Sequence, residues 1–345
     1  MTFRLLPEWA EQDAIMLTWP HKDTDWADIL DDVEPVYVTL CQQISQVQKV
    51  VIVAHNDDVK NHITQQLIQA DVDLMQVQFA LANCDDTWAR DHGPLTCANE
   101  QGELAIKDFI FNGWGNKFDA SMDNAINAQV VKQLAAPKAQ YHPLNFVLEG
   151  GGVEINEHGT LLATRECLLN PNRNPDYSQL EIEQLLQKEL GVKDFLWVDH
   201  GYLAGDDTDS HIDTLVRFAP NNTLVYVECD DEQDEHFSAL SAMAAQLQSF
   251  TTAQGEPYRL VALPWPKAIC DKDGYRLPAT YANYLILNKT VLVPVYADEN
   301  DAQALAQIQL AYPDRTVIGI NCTPIIHQFG SLHCITMQLP RGFLK

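Results

Sequence analysis

With 345 residues, 46% hydrophobic and 20% charged, the chain can bury a large core and lies far from the composition of disordered proteins. Twenty-two Lys and Arg stand against 48 Asp and Glu, a formal charge of −26 at pH 7. That excess repels polyanions and argues against nucleic acid or an anionic membrane as partner.

The opening residues carry Pro7 and Glu8 where a secretory signal needs a continuous apolar stretch. Apolar runs such as 291–295 fall far short of the roughly 20 residues that cross a bilayer. A soluble, cytoplasmic protein is expected. Eight cysteines, at 41, 84, 97, 167, 229, 270, 322 and 334, have no short repeated spacing of the zinc or disulfide kind. They read as reduced thiols, most of them packing residues.

Apolar periodicity divides the chain into five similar units. The first has a strand at 14–19, a helix near 34–47 and a strand at 50–54. The second, also blurred, joins 74–81, the segment around 95 and 104–111 to a helix near 122–134. The third runs from 147–155 through a turn at Glu157-His158-Gly159 to 160–163, a helix near 178–190 and a strand at 195–198. The fourth has 212–218, a turn at Asn221-Asn222, 223–228, a helix near 233–249 and 259–263. In the fifth, 284–287 and 291–296 flank Asn288-Lys289, and a helix near 299–312 leads to 316–320. The last three units share one order: hairpin, helix, strand. Five such units imply a closed or nearly closed cyclic array, whose loops converge at one end on a central site. No Gly/Ser/Pro-rich linker separates the units, so a single domain spanning 1–345 is expected.

Three segments hold polar residues where a core would not want them. Trp88-Ala-Arg-Asp-His-Gly-Pro94 sets an aromatic, a cation and a carboxylate beside a turn, and could be no more than a capped turn with an Arg–Asp pair. Asp206-Asp-Thr-Asp-Ser-His-Ile-Asp213 precedes a strand; if its end is extended, His211 and Asp213 project to one side. A solvated acidic loop and a divalent-metal site, serving a metal-dependent hydrolase, are the competing readings of Asp206, Asp207, Asp209, His211 and Asp213. Against zinc, no second His at helical spacing and no cysteine pair lies nearby. In Gly330-Ser-Leu-His-Cys-Ile-Thr336, Cys334 is either a buried hydrophobe or a nucleophile needing a base, which His211 could supply. His333 would point the opposite way in an extended strand, and a structural role is expected for it.

Taken together with Pro7-Glu-Trp9, Leu17-Thr-Trp-Pro20, Leu148-Glu-Gly-Gly-Gly152 and Cys167-Leu-Leu-Asn-Pro-Asn-Arg-Asn-Pro175, these segments resemble the agmatine deiminases of the guanidino-modifying (pentein) superfamily. That branch also contains the Porphyromonas-type peptidylarginine deiminases, and the resemblance spans nearly the whole chain. It implies an α/β fold, a five-bladed propeller of ββαβ units. It places the nucleophile on Cys334, the general acid/base on His211 and the guanidinium-holding carboxylates on Asp91 and Asp213. Trp88, Glu149 and Asp207 match positions that line the pocket or approach the substrate's distal amine. Ser210 stands where the family usually has Gly, and Gln328-Phe329 replace further glycines before Gly330.

The implied reaction is agmatine plus water to N-carbamoylputrescine plus ammonia, a step of putrescine and polyamine biosynthesis, through a thiouronium on Cys334. It requires no metal or organic cofactor. Other guanidino substrates, peptidyl-arginine among them, remain open, as does assembly into a homo-oligomer. Acidic Asp206, Asp207 and Asp209 at the pocket mouth would favour agmatine's ammonium over arginine's carboxylate, with Arg90 the nearby cation that could reverse that preference.

Overall fold

A computed structural model describes residues 2–345; Met1, where the expected domain begins, lies outside the described residues. Five separate sheets of three or four strands, with helices between their strands, make the fold mixed α/β. Three sheets repeat the expected order. In one, Leu285–Ile286 pairs antiparallel with Thr290–Val295, and the helix Asp301–Ala311 returns the chain to Thr316–Asn321, parallel to the same central strand. Val216–Ala219, Thr223–Val227, Phe237–Leu247 and Arg259–Leu263 do the same. So do Glu154–Ile155, Thr160–Thr164, Gln179–Leu190 and Asp194–Val198.

The central strands read as continuous apolar runs because they are covered on both faces: Thr160–Thr164 and Thr223–Val227 are buried throughout. The helix Gln179–Leu190 begins at a capping box between Ser178 and Glu181 and ends at Gly191, whose φ of 67° suits a residue without a Cβ.

The first two units differ from the sequence reading. Val77–Leu81 does not join Leu95–Ala98; it lies parallel to Lys49–Ala54, at the edge of a sheet ordered Thr336–Pro340, Gln12–Thr18, Lys49–Ala54, Val77–Leu81. The C-terminal strand therefore supplies the antiparallel partner of Gln12–Thr18, joining the two ends of the chain. The other sheet is Arg4–Leu5, Leu95–Ala98, Leu104–Ile110 and Gln140–Val147. Its last strand has no continuous apolar face because it lies at a sheet edge, with Gln140, Pro143 and Asn145 exposed, a place where Pro is tolerated. Val147 thus ends one sheet instead of opening the next.

Candidate active site

The segments that follow the last parallel strand of four of the five sheets meet at one cavity of about 200 Å³ that opens to the surface. Asp86, Trp88 and Asp91 come after Val77–Leu81, Asp206 to Asp213 after Asp194–Val198, Asn283 after Arg259–Leu263, and Gly330 to Cys334 after Thr316–Asn321. Asp91, His211, Asp213, Cys334, Trp88 and Asp207, far apart in sequence, all line it.

Asp91 sits in the one-turn helix Ala89–His92, held to the cysteine segment by the Arg90 N–H, which donates to the Cys334 carbonyl at 3.0 Å. Its carboxylate accepts from Gly151 N–H at 3.0 Å and from the Trp114 indole N–H at 2.9 Å. Burial, then the charge of Asp213, pushes the Asp91 carboxyl well above the usual carboxylate range.

His211 and Asp213 are not on a strand: Ile212–Thr214 forms a 3₁₀ turn, and the strand begins at Val216. The turn nonetheless directs both side chains into the cavity. Burial would raise Asp213, but its hydrogen bond from His333 Nδ1 at 2.7 Å holds it below the ordinary value, even though burial and then Arg217 and Arg90 lower His333 itself. Burial lowers His211 to about 3, so its imidazole is neutral, with Nδ1 3.6 Å from the Asp91 carboxylate. His211 Nε2 and Asp213 Oδ1 are buried without a hydrogen-bond partner.

Cys334 also lies in a turn, ahead of the strand Thr336–Pro340. Burial, then the charges of Asp213 and Asp91, raises its thiol well above the usual cysteine value. Asn283 ties these parts together: its Oδ1 accepts from the His333 N–H at 2.8 Å and the Cys334 N–H at 3.3 Å, and lies 3.4 Å from the sulfur. Its amide donates to Asp213 at 3.2 Å. A chain of aromatic rings, Trp88, Trp114 and Phe118, lines the cavity, with centroids 6.1 and 5.6 Å apart. Gly330 is required by close approach, since a Cβ there would lie 2.0 Å from the Trp88 ring.

A family model of Porphyromonas-type peptidyl-arginine deiminases matches residues 4–340. The chain belongs to that family. A substrate-bound Cys-to-Ser variant of C. jejuni agmatine deiminase is 35% identical, with a TM-score of 0.90, over 99% of this chain and 97% of its own. A Porphyromonas gingivalis structure named "Putative Arginine Deiminase" is 44% identical, with a TM-score of 0.93, over 100% of both chains. A Lactococcus lactis relative named "Putative agmatine deiminase" is 32% identical over 99% of this chain and 96% of its own length.

In this deiminase-family chain the remaining sequence expectations divide. Glu149 does not line the cavity; Arg173 Nε donates to both of its oxygens, at 3.0 and 3.1 Å, with both side chains buried. Its carboxylate lies instead near His211 and Cys167, their ligand atoms within 4.8 Å of one another. The five residues offered as metal ligands do not gather around one point. Asp206 accepts from Thr208 and Ser210 of its own loop, Asp209 pairs with Lys117 and Arg173, and Asp213 with His333. Of the acidic mouth only Asp206 and Asp207 line the cavity, and Asp207 is the exposed one. Arg90 is turned away from the cavity to Glu8 at 2.9 Å.

Ser210 and Phe329, the two departures from glycine, both have φ of 63°, in the left-handed region where glycine is favoured. The sequence reading missed Trp114 and Asn283. A tryptophan between Gly113 and Gly115 was the available signal for the first; nothing local marked the second.

Proposed function

We propose that this protein hydrolyses the guanidinium group of agmatine to N-carbamoylputrescine and ammonia, as one five-bladed α/β propeller domain with its site on the axis. The observation that carries this reading is the cavity's set of side chains. Asp91 and Asp213, a thiol, an imidazole and aromatic rings converge there, His211 Nε2 and Asp213 Oδ1 have no partner, and among the described residues no Lys or Arg lines the space. Such a lining suits an organic cation with several N–H donors.

A guanidinium held by Asp91 and Asp213 would be fixed in plane and kept protonated, with its carbon near Cys334. Burial raises the thiol most, and the guanidinium charge would offset what Asp213 and Asp91 add to that. Loss of the thiol proton gives the thiolate, which adds to the carbon. His211, carrying the proton, delivers it to the departing ammonia, leaving a thiouronium. Neutral His211 then takes a proton from water, the hydroxide adds, and the thiolate leaves with the ureido product formed. No step calls for a cofactor. Asp213 is the neighbouring charge that favours the imidazolium, and Glu149 would act behind the site by holding Arg173, not on the substrate.

Agmatine is favoured over arginine because Asp25, Asp86 and Asp207 line the cavity and no cation does. An α-carboxylate would meet repulsion there, whereas an ammonium would meet attraction. A cytoplasmic role in putrescine formation follows from that substrate.

The test is to incubate the purified protein with agmatine, arginine and a peptidyl-arginine and to measure ammonia and ureido product. Agmatine turnover is expected to lead, and Cys334→Ala is expected to reduce it by on the order of 10³-fold or more while leaving the fold and agmatine binding intact. Ammonia release by Cys334→Ala near the wild-type rate would remove the nucleophile assignment; arginine as the faster substrate would remove the agmatine assignment.

A further inference from the structure

We propose that His21, His55 and Cys84 form a zinc site outside the catalytic cavity. The three residues are far apart in sequence, Cys84 lying 63 positions from His21 and 29 from His55. The sheet brings them together. Gln12–Thr18, Lys49–Ala54 and Val77–Leu81 are adjacent parallel strands, and each ligand lies one to three residues beyond the carboxyl end of one of them. Segments leaving the same end of neighbouring parallel strands converge, as they do wherever open α/β sheets bind ligands.

The distances suit a metal. Cys84 Sγ is 3.5 Å from His21 Nε2 and 3.8 Å from His55 Nδ1. Tetrahedral zinc, with Zn–S about 2.3 Å and Zn–N about 2.0–2.1 Å, sets sulfur and nitrogen about 3.6 Å apart. The two imidazoles face each other with ring centroids 4.2 Å apart.

Cys84 is a free thiol. His55 Nδ1 accepts the Cys84 N–H at 3.2 Å, and His21 Nδ1 accepts the Asp23 N–H at 3.3 Å while its Nε2 lies 3.4 Å from the Cys84 carbonyl. Ligation exchanges these backbone hydrogen bonds for bonds to the metal, with the His21 proton moved to Nδ1 and the Asp23 N–H released. Zinc binding therefore releases one proton, from Cys84 S–H, and forms the Zn–S bond. Two imidazole nitrogens complete three protein ligands. Water supplies the fourth from the surface cavity of about 580 Å³ that His55 lines. The ion would pin the segment that runs on to Asp86 and Trp88 in the catalytic cavity.

The test uses reduced, metal-stripped Cys334→Ala protein, so that the cavity thiol cannot contribute, titrated with Co²⁺ and then Zn²⁺. One equivalent of Co²⁺ is expected to give a thiolate-to-cobalt charge-transfer band, which Zn²⁺ abolishes. The band should be absent once Cys84→Ala is added, and Co²⁺ affinity should fall roughly tenfold or more with His55→Gln. No band, or one that survives Cys84→Ala, overturns the site. Should Cys84→Ala not fold, His55→Gln decides alone, because His55 is only partly buried; an unchanged Co²⁺ affinity there also overturns it.

Discussion

Asp91 and Asp213 are both buried, and both act on the Cys334 thiol, yet they rest in opposite electrostatic settings. Asp213 is the end of a charged chain. His333 Nδ1 bonds it, His333 Nε2 reaches Glu8 at 2.8 Å, and Arg217 joins Glu8 at 2.6 Å and also pairs with Glu154. Asp91 has only neutral donors, an indole and a backbone N–H. One carboxyl is therefore held below the ordinary carboxylate range in the free protein and the other well above it. Two like charges in one pocket need not be held by the same means.

Replacing each carboxylate by an amide should break that symmetry most visibly. Asp91→Asn and Asp213→Asn should each cost about 1.5–3 kcal/mol in guanidinium binding and turnover, roughly tenfold to a hundredfold. From sequence alone neither change is expected to lower stability; the structure separates them. Asp213→Asn leaves an amide oxygen to accept from His333 but removes the charge that strengthens that hydrogen bond, and should destabilise the fold by about 1 kcal/mol. Asp91→Asn should stabilise it.

The signs with pH follow. A carboxyl lowered on folding contributes stability above its unfolded value of about 3.9 and loses it as pH falls through the folded value. One raised on folding costs stability as pH rises from about 3.9 toward the folded value. The advantage of Asp91→Asn over wild type should therefore grow with pH, and thermal unfolding at several pH values checks it. Equal stability changes in both variants would dissolve the contrast.

How much of this was legible in sequence depends on whether a signal is local. The buried central strands announce themselves as apolar runs, and Trp88, Asp91, His211, Asp213 and Cys334 stand in polar segments beside turns. Pairing is not local: nothing within 74–81 says that its partner is Lys49–Ala54, and the strand Gln140–Val147 lacks an apolar face because it is an exposed edge. The extended geometry expected at 211–213 failed because Ile212–Thr214 closes a turn through the Thr214 N–H and hydroxyl, both bonded to the His211 carbonyl. A structural role was expected for His333, but not its contact with Asp213. Arg217, a cation inside the apolar run 215–219, was the one sequence sign of the buried network.

A calorimetric measurement sharpens the same contrast at the level of protons. When a guanidinium enters, Asp91 should release its proton, whereas Asp213 has none to give. In Cys334→Ala protein, agmatine binding in buffers of different ionisation enthalpy should show a net release of protons, because the guanidinium draws the raised Asp91 carboxyl down. Asp91→Asn should abolish the release and Asp213→Asn should preserve it. Release that persists in Asp91→Asn would assign the proton to another group.

The smallest expected effect concerns the cavity mouth, where the sequence reading named three acids. Asp206 is occupied by Thr208 and Ser210, and Asp209 by Lys117 and Arg173, so neither carboxylate is free to meet a substrate's far end. Asp207 lines the cavity but is exposed, and Lys117 donates to its backbone carbonyl. An exposed charge is screened by water and salt, and its contact with an ammonium is worth about 0–1 kcal/mol. Asp207→Asn should thus lower the agmatine-to-arginine ratio of kcat/KM by roughly fivefold at most, with a larger change at low ionic strength. Asp86 is the sterner partner: it lines the same cavity, is only partly exposed, and is raised to about 6 by desolvation despite its hydrogen bond from Trp26. Below that value it is neutral, so discrimination against arginine should weaken as pH falls through about 6 in both wild type and Asp207→Asn. A ratio independent of pH and of Asp207 would place the selectivity in the shape of the cavity instead of its charge.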